Sequence, residues 1–354
     1  MRRAFKLAQK AKGMTSPNPM VGAVIVKGNK IIAEGWHEFC GGDHAEVVAL
    51  KKAGDSARGA NLYVTLEPCA HFGRTPPCVD RIISSGIKEV MIGMQDPNPL
   101  TKGRSIRLLK KHKIRTRVGF LQDELRQLNE SFLKYITTKM PFVTVKCAQT
   151  LDGKIATANG HSRWVTSDAT RRLTHQLRND YDAILVGINT ILKDNPSLNP
   201  VPRRKSIKKI IVDSTLRLPF PAKIFSRTTT SDIFIATTRR APQRKVAQFR
   251  LKGINVLVDP GRNAWVDLRW LMRELGRREI ANILLEGGAQ IIGSALKNQL
   301  VDKMQIWISP KIVGDQNARS SVTGRKVRSM AEALSLKRIS IELFGSDIRI
   351  EGYV

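Results

Sequence analysis

The sequence predicts two consecutive α/β domains, over residues 1–140 and 141–354. With 354 residues, the chain has the length of about two domains of roughly 150 residues each. In both parts, short apolar runs typical of strands alternate with stretches of helical periodicity. This alternation indicates layered α/β folds, which carry functional groups at the carboxyl ends of their strands. Lys139-Met140-Pro141 marks the boundary, because a helix seldom continues into a proline.

The first domain is predicted to begin with a helix. Residues 1–11 are basic, but their apolar side chains recur at helical spacing, and the apolar stretch and cleavage site of a signal peptide are missing. Gly28-Asn29 is a hairpin signal between two short strands. The predicted elements are strands over 21–26 and 31–34, a helix over 44–53, a strand over 62–66, a helix over 77–85, a strand over 89–93, a helix and a strand within 104–118, and one long helix over 123–137.

The second domain has the same alternation over a greater length. Ser167 is a suitable N-cap for its first helix, and the proline-rich, basic stretch 195–208 is predicted to be a mobile surface loop. The predicted strands cover 142–147, 183–187, 208–213, 232–237, 254–258, 281–285, 303–308 and 337–353, and the helices cover 167–179, 265–276 and 289–298.

The net charge of +30 raises the question of nucleic-acid binding. The surplus is +12 over residues 1–140 and +18 over 141–354, and the chain has no basic tail. This even distribution of positive charge is more typical of an overall compositional bias than of a nucleic-acid-binding patch. A broad positive field nevertheless attracts anionic substrates such as phosphate esters. The sequence contains no run of 18 apolar residues, so we expect no transmembrane helix. We therefore expect neither a nucleic acid nor a membrane as partner.

The strongest chemical signal is His44-Ala45-Glu46 followed by Pro68-Cys69 and Pro77-Cys78. One histidine and two cysteines supply three ligands to a tetrahedral zinc and leave the fourth position for water. Zinc lowers the pKa of such a water from 15.7 to roughly 7. Glu46 would then move protons from this water to the substrate without being a ligand itself. This is the pattern of zinc-dependent deaminases, and the two cysteines must be thiolates, which predicts a reducing, cytoplasmic location.

These residues also have other interpretations. Each residue taken singly is more often an ordinary buried cysteine or a helix cap, and a structural zinc would need a fourth ligand that the sequence does not offer beside them. Asp43 is predicted to be a helix cap. His71, in the loop that also holds Gly73, is either a substrate contact or a loop hydrogen-bonding group. The remaining cysteines, Cys40 and Cys147, are interpreted as incidental thiols.

In the second domain, the apolar strand 282–285 runs into Glu286-Gly287-Gly288 and a helix. Glycines at such a turn let backbone N–H groups approach a phosphate at the helix N-terminus, but a tight helix–sheet turn gives the same pattern. Glu286 stands at the carboxyl end of its strand, where a functional side chain is expected. Trp164, before the Ser167 cap, could equally be a core aromatic.

Four blocks of the first domain, SPNPMVG (16–22), GDHAE (42–46), TLEPCAHFGRTPPC (65–78) and QDPNP (95–99), resemble the bifunctional riboflavin-biosynthesis deaminase–reductase family. Eight residues separate the two cysteines, where the general deaminase signature has two, and this long loop is specific to the family. The resemblance continues through segments 151–153, 162–167, 187–196, 211–214 and 286–288, so it covers nearly the whole chain.

The resemblance implies a cytidine-deaminase-like α/β/α sandwich followed by a dihydrofolate-reductase-like α/β domain. It implies zinc-dependent deamination of 2,5-diamino-6-ribosylamino-4(3H)-pyrimidinone 5′-phosphate, and then NADPH-dependent reduction of the ribosyl side chain to ribityl. By matching position, the residues implied to hold the substrate are Asn18, Asp96 and Asn98 in the first domain and Ser162, Arg178, Leu198 and Glu286 in the second. Those implied to hold NADPH are Ala148, Trp164, Thr190, Asp194, Ser214, Gly288, Ala289, Gln290, Ile291, Ile292, Gly293 and Ser294.

Arg178 and Arg203 are the two candidate arginines for the substrate phosphate. Arg178 suits a phosphate because its guanidinium fork matches phosphate oxygens, yet a solvated helix face is its simpler interpretation. The family has an arginine soon after the Pro-x-Leu of the second domain, which contacts the substrate phosphate. Here Pro196-Ser197-Leu198 is followed by Asn-Pro-Val-Pro, so Arg203 is the candidate from a shifted position.

Two other functions fit part of the sequence. A nucleic-acid-editing deaminase would share the zinc site and suit the charge, but the long cysteine loop, the even charge distribution and the few aromatic residues (6%) disfavour it. A deaminase with a degenerate, merely binding second domain is favoured only by the altered loop after Leu198. The exposed sheet faces of such domains are compatible with a homo-oligomer.

Overall fold

The structure is a computed structural model of the chain, and it describes residues 1–72, 76–99 and 101–354. They form two compact units, Met1–Lys139 and Met140–Val354, here the N-terminal unit and the C-terminal unit. None of the helices in the described ranges combines the length and the apolarity needed to cross a membrane.

The N-terminal unit is built on a five-stranded sheet of order β2-β1-β3-β4-β5. Its first three strands pair antiparallel, and β3, β4 and β5 are parallel. The strands are β1 Gly22–Lys27, β2 Lys30–Trp36, β3 Asn61–Leu66, β4 Glu89–Met94 and β5 Arg115–Val118. The helices are α1 Arg2–Gln9, α2 Ala45–Ala53, α3 Cys78–Ser84, α4 Arg104–Lys111, α5 Gln122–Leu128 and α6 Glu130–Thr138.

Apolar side chains lie on both faces of this sheet. On one face, Ala4 and Leu7 of α1 pack against Val24. On the other, α2 and α3 bury a larger cluster against alternate residues of the same strands, including Ile25 and Leu62. Because successive residues of a strand point to opposite faces, the apolar strands predicted from the sequence are covered on both sides. The carboxyl ends of β3 and β4 are left as the place where loops can form a site.

Two predictions for the N-terminal unit were wrong. The single helix over 123–137 is two helices, α5 and α6, because the backbone leaves helical geometry at Asn129. The Asn129 side chain is buried and forms two hydrogen bonds with the Met20 backbone, accepting from its N–H (2.8 Å) and donating to its carbonyl (3.1 Å). Asp43 does not cap α2. Its carboxylate pairs with Lys51, and the N-cap position belongs to His44.

The C-terminal unit is built on a nine-stranded sheet of order β11-β10-β9-β8-β12-β6-β13-β16-β15, with a separate small pair of β14 and β7. The strands are β6 Phe142–Thr150, β7 Lys154–Ala156, β8 Ala183–Gly187, β9 Lys208–Val212, β10 Ile233–Thr237, β11 Asn255–Val258, β12 Asn282–Leu285, β13 Lys303–Ser309, β14 Arg319–Ser320, β15 Lys337–Phe344 and β16 Asp347–Tyr353. The helices are α7 Asp168–Leu177, α8 Ile188–Asp194, α9 Gln243–Leu251, α10 Leu268–Arg277 and α11 Ala289–Lys297.

The strands from β11 to β13 run parallel, and β16 returns antiparallel beside β13. Parallel sheets need cover on both faces, and two separate apolar clusters supply it, one with α10 and α11 and the other with α9. The carboxyl ends of seven neighbouring strands therefore meet along one edge, which we call the carboxyl edge. Such an edge is the usual place for ligands in sheets of this kind.

The C-terminal unit also differs from its prediction in places. The helices α8 and α9 were missed, because α9 buries only Val246 and Phe249 among charged neighbours and its apolar period is weak. Residues 337–353 form a hairpin of two strands, β15 and β16, rather than one long strand. The stretch 195–208 is an irregular connection, but Leu198 and Ile207 within it are buried (3% exposed each). The N-cap role of Ser167 is confirmed, since its hydroxyl accepts from the Thr170 N–H.

Candidate active sites in the two units

In the N-terminal unit, three metal-binding side chains converge at the carboxyl end of β3. His44 precedes α2, Cys69 lies in the loop after β3, and Cys78 is the first residue of α3. Their ligand atoms all lie within 4.8 Å of one another. The Nδ1 atom of His44 is 3.1 Å from the Cys78 sulfur and 3.6 Å from the Cys69 sulfur. The two ends of the segment between the cysteines therefore lie close together; Gly73 within it lies outside the described residues.

These three groups fit a catalytic zinc ion. One imidazole and two sulfurs are the donors that zinc prefers, and three protein donors leave a position open for a water molecule. Hydrogen bonding by the Cys78 thiol lowers the pKa of Cys69 to about 4, so one of the two sulfurs is a thiolate at neutral pH even without the metal. The hydrogen bond to Cys69 also raises the pKa of His44. The donor set thus already holds negative charge where a cation would sit.

Glu46 lies beside the three donors in the first turn of α2. It is 3% exposed, and burial raises the pKa of its carboxyl group to about 7. The carboxyl group is in hydrogen-bonding contact with Cys78. A carboxyl group with a pKa near neutrality can both accept and donate a proton at physiological pH. A buried carboxyl group that can exchange protons near neutral pH therefore lies next to the candidate zinc position.

Asn18 belongs to the same site through a histidine that the sequence analysis did not single out. His37 is 2% exposed, and its ring lies 5.3 Å from that of His44. Its Nδ1 is 3.0 Å from the Asp43 carbonyl oxygen, which can only accept, so Nδ1 carries the proton. The Nε2 atom then accepts from the Asn18 amide at 3.2 Å. Burial lowers the pKa of His37 and keeps it in this neutral form.

Asp96 and Asn98 follow β4, next to the loop that holds Cys69. Asp96 is buried, and burial raises the pKa of its carboxyl group to about 6. One of its oxygens accepts from the Asn98 N–H at 2.9 Å. A second buried acid, Glu67, was missed by the sequence analysis. It accepts hydrogen bonds from the Asp96 N–H, the Gly103 N–H and the Ser105 hydroxyl and so fixes the backbone around Asp96.

His71 and Cys147 have structural surroundings that account for them. His71 forms a hydrogen bond with the Thr101 hydroxyl (3.1 Å), which corresponds to the loop alternative for this residue. Cys147, in the other unit, is buried, and burial raises the pKa of its thiol to about 11, as an inert core cysteine requires.

In the C-terminal unit, Glu286 and Arg178 form an ion pair at the carboxyl edge. The guanidinium donates to both carboxylate oxygens at 2.8 Å and to the Asn199 carbonyl at 3.1 Å. Burial alone would raise the pKa of Glu286, but Arg178 and Lys146 bring it down to about 2. Arg178 is 8% exposed, so its interpretation as a solvated helix residue was wrong.

Lys146 completes this charged group and was missed from the sequence. It interrupts the apolar strand β6, and this interruption was the available signal. Burial lowers the pKa of its ammonium group, while the neighbouring Glu286 opposes that shift. A lysine of lowered pKa beside a buried carboxylate is a candidate proton donor.

The turn between β12 and α11 has two different kinds of glycine. Gly288 occupies the N-cap position of α11, and a Cβ atom added there would have only the Thr190 hydroxyl within 4 Å, at 3.9 Å. A Cβ at Gly293 would instead lie 1.6 Å from the Thr323 carbonyl oxygen. Gly288 therefore leaves room for a ligand phosphate at the helix N-terminus, which fits NADPH, whereas Gly293 permits close packing. Ile291 and Ile292 are part of the apolar core.

The other residues expected to bind NADPH or substrate lie on several elements of the C-terminal unit. Trp164 is 58% exposed with the Arg171 guanidinium 4.0 Å from its ring centroid, so the core interpretation of Trp164 was wrong. Ala148 lies within β6. Asp194 is the last residue of α8, and its backbone carbonyl accepts a hydrogen bond from Arg163. Ser214 follows β9 and accepts from the Val266 N–H. Leu198 is buried, and Ser162 is half-buried in the loop before α7.

Arg203 does not present an unused guanidinium. Its three nitrogens donate to the Lys205 carbonyl, the Arg227 carbonyl and the Ser206 hydroxyl. These bonds hold two surface segments together, so a phosphate contact by Arg203 would have to be made in addition to them.

Comparison with known proteins agrees with this pair of sites. Residues 1–94 match the model of the cytidine and deoxycytidylate deaminase zinc-binding region, and residues 141–350 match that of the RibD C-terminal domain. The chain is 44% identical to the riboflavin biosynthesis protein RibD of Actinobacillus pleuropneumoniae, over 99% of this chain and 93% of that protein. The chain belongs to the RibD family. The RibD protein of Escherichia coli is 37% identical over 98% of this chain and 96% of its own length.

Solved RibD structures share the whole architecture. Acinetobacter baumannii RibD superposes with a TM-score of 0.90 at 34% identity, covering 99% of this chain and 97% of that one. The diaminohydroxyphosphoribosylaminopyrimidine deaminase/5-amino-6-(5-phosphoribosylamino)uracil reductase of Thermotoga maritima gives a TM-score of 0.86 at 36% identity, covering 100% and 97%. The predicted fold class is thereby confirmed: a cytidine-deaminase-like domain followed by a RibD reductase domain.

Proposed function

We propose that this RibD chain catalyses two successive steps of riboflavin biosynthesis, with residues 1–140 as the deaminase and residues 141–354 as the reductase. The first step is hydrolytic deamination of 2,5-diamino-6-ribosylamino-4(3H)-pyrimidinone 5′-phosphate. The second is NADPH-dependent reduction of its ribosyl side chain to ribityl. The observation that carries the proposal is the convergence of His44, Cys69 and Cys78 beside the buried Glu46.

In the deamination step, His44, Cys69 and Cys78 hold the zinc ion, which when bound supplies a water molecule of lowered pKa. Glu46 takes a proton from the attacking water and delivers it to the pyrimidine ring nitrogen. It then transfers the second proton to the departing amine, so that the C–N bond breaks and ammonia leaves. Burial serves this role because a pKa of about 7 lets Glu46 act in both directions.

Substrate recognition in the deaminase rests on Asn18, Asp96 and Asn98. His37 fixes the Asn18 amide by accepting from its nitrogen, and Glu67 fixes the backbone of Asp96. Both supports are buried. The three side chains can thus present hydrogen-bonding groups to the polar edge of a pyrimidine without a large entropic cost on binding.

In the reduction step, Gly288 and the first N–H groups of α11 receive a phosphate of NADPH, which when bound supplies a hydride. This hydride would reduce C1′ of the ribosyl group, and the opening of the C1′–O4′ bond would require a proton at O4′. We assign Lys146 as the source of this proton, because burial makes its ammonium group more acidic. Glu286 holds Arg178 in place through their ion pair, keeps negative charge near Lys146, and contacts the substrate beside Ser162 and Leu198.

A small-molecule substrate, rather than a nucleic acid, follows from these enclosed polar groups and from the evenly spread charge. A cytoplasmic location is part of the proposal, since Cys69 and Cys78 must stay reduced to bind zinc.

The proposal includes a homodimer formed through the sheet of the C-terminal unit. Ile341 and Leu343 are 65% and 75% exposed on β15. Neighbouring strands continue the apolar face, since the cross-strand partners are Ile348 and Ile350 on β16 and Ile306 and Ile308 on β13. Light scattering of the protein is expected to give twice the mass of one chain, and the double variant Ile341→Glu, Leu343→Glu to give the monomer. A monomeric parent protein would refute the dimer.

The test of the two activities is a paired assay on zinc-replete protein supplied with the diaminopyrimidinone ribosyl phosphate. Ammonia release and the loss of NADPH absorbance are followed together, and release followed by loss is the expected order. Ammonia without NADPH consumption would leave a deaminase with a disabled second domain. If no ammonia forms from this substrate, the proposed function is wrong.

A further inference from the structure

The residues expected to bind NADPH follow the strand order along the carboxyl edge. Ala148 is on β6, Gly288 follows β12, Thr190 is on the helix after β8, and Ser214 follows β9. In the sheet these strands stand in the order β6, β12, β8, β9, and the next two are β10 and β11. Neighbouring strands are about 4.8 Å apart, so the step from β6 to β10 covers about 19 Å. The loops after β10 and β11 therefore stand where one end of an extended dinucleotide would arrive.

Arg240 is connected to Ser214 by a short chain of hydrogen bonds. The Thr238 hydroxyl donates to the Ser214 carbonyl at 2.8 Å and accepts from the Arg240 N–H at 3.2 Å. The Arg240 guanidinium reaches toward the loop after β11, with one nitrogen 3.5 Å from the Ala264 carbonyl. This contact is long, so the fork of the guanidinium is not tightly engaged there.

The loop after β11 presents an exposed tryptophan beside these residues. Trp265 is 76% exposed, although a large aromatic side chain is normally at least half covered. The loop itself is held firmly, because the Val266 N–H donates to the Ser214 hydroxyl at 3.1 Å and the Asp267 N–H donates to Asp259 at 2.7 Å. Trp265 is therefore an exposed ring on a fixed backbone, next to Ser214.

The exposed charges at this end of the edge are positive. Arg239, Arg240 and Arg262 are all exposed. Asp259, the acid between them, is 3% exposed, and its oxygens accept from the Gly261 and Asp267 N–H groups. An arginine fork beside an exposed indole ring suits a ligand with a phosphate attached close to an aromatic base.

We propose that Arg240 binds the 2′-phosphate of NADPH and that Trp265 stacks on its adenine ring. The inference rests on the proposed reductase function and assigns to this chain the residues that select NADPH over NADH. Only NADPH has the 2′-phosphate that can pair in bidentate fashion with Arg240, whereas the adenine ring of either cofactor can stack on Trp265.

The test uses adenosine 2′,5′-bisphosphate and 5′-AMP as probes, with titration calorimetry on the full-length protein. The parent protein is expected to bind the bisphosphate more tightly. Arg240→Gln should weaken bisphosphate binding about tenfold to a hundredfold and change 5′-AMP binding less than threefold. Trp265→Ala should weaken both ligands to a similar degree, and Trp265→Phe should restore part of the loss. Quenching of tryptophan fluorescence by either ligand should decrease in Trp265→Phe.

The matched control is Arg273→Gln, which removes the same charge from the exposed face of α10. If this variant loses as much bisphosphate binding as Arg240→Gln, only the general positive field is at work and the inference is wrong. It is also wrong if Arg240→Gln weakens both probes equally, or if Trp265→Ala binds both as the parent protein does.

The result also separates this inference from the proposed function. If the parent protein binds and turns over NADPH, but Arg240→Gln discriminates between the two probes as the parent does, only the assignment of Arg240 is overturned. A parent protein that binds neither NADPH nor the bisphosphate would overturn the reductase function, and the inference with it.

Discussion

Glu46 illustrates how burial changes the chemistry of one side chain. Replacing it by glutamine removes the proton carrier but none of the three zinc donors. Glu46→Gln is therefore expected to keep its zinc content and to lose about 100-fold or more of its deamination rate. Zinc is measured by metal analysis and deamination by ammonia release. Glu38→Gln, at an exposed position, is the matched control. Near-normal ammonia release from zinc-loaded Glu46→Gln would show that another group carries the proton.

The Glu286–Arg178 pair predicts a dependence of stability on pH. The pKa of Glu286 is lowered from 4.5 to about 2 in the folded protein. The carboxylate thus stabilises the fold fully above about pH 4.5 and loses this effect as the pH falls toward 2. A shift of that size corresponds to roughly 3 kcal/mol. The urea unfolding midpoints of the parent protein and Glu286→Gln should differ clearly at pH 6 and converge toward pH 3. A constant difference would contradict the lowered pKa.

Some of these residues could be predicted from the sequence and others could not. His44, Glu46, Cys69 and Cys78 belong to a motif in which residue type and spacing carry the information. The roles of Glu67, Lys146 and His37 depend on burial and on partners distant in sequence. The sequence shows only an unremarkable acid, a lysine within an apolar strand and a histidine.

Among the elements, the break between α5 and α6 connects packing to the deaminase site. The Asn129 side chain forms two hydrogen bonds with the backbone of Met20, two residues after Asn18. Asn129→Ala leaves the partly buried N–H and carbonyl of Met20 without their partner and should cost about 2 kcal/mol of unfolding free energy. It should also raise the KM for deamination, because Asn18 is less well fixed. Gln127→Ala, at an exposed position on α5, should leave both the stability and the KM unchanged. An unaltered KM in Asn129→Ala would mean that Asn18 is held by His37 alone.

The two glycines of α11 make a paired prediction. Gly288→Ala should fold normally but bind NADPH at least about tenfold more weakly, because its methyl group would occupy the space for the phosphate. Gly293→Ala should lose at least about 2 kcal/mol of stability, since the methyl group collides with the Thr323 carbonyl. Thermal unfolding and NADPH titration of both variants check this. The prediction fails if Gly288→Ala binds NADPH as the parent protein does.

The accuracy of the element predictions follows from burial. Strands β8, β10 and β12 are apolar and covered on both faces, so their type and approximate bounds were predictable. Helix α9 has one sparse apolar face, and α8 is a helix of only 7 residues with mixed composition, so neither stands out locally. The break at Asn129 is a tertiary effect, because helical periodicity continues through it.

On the scale of the whole molecule, each unit has its own apolar core. Removal of zinc should therefore abolish one activity and spare the other. After treatment with dipicolinate, ammonia release is expected to fall to background. NADPH consumption with the deaminated intermediate as substrate should stay within twofold of the untreated value, and added zinc should restore ammonia release. A parallel loss of NADPH consumption would show that the reductase depends on the metal.

The joining of both units in one polypeptide also has a consequence for metabolism. Translation makes one deaminase for every reductase, whatever the level of expression. Changes in promoter strength or messenger abundance alter the total flux but not the ratio of the two catalysts. In the proposed pathway, the steady-state level of the deaminated intermediate is then set by the turnover numbers of the two units, and natural selection can adjust it only through the coding sequence.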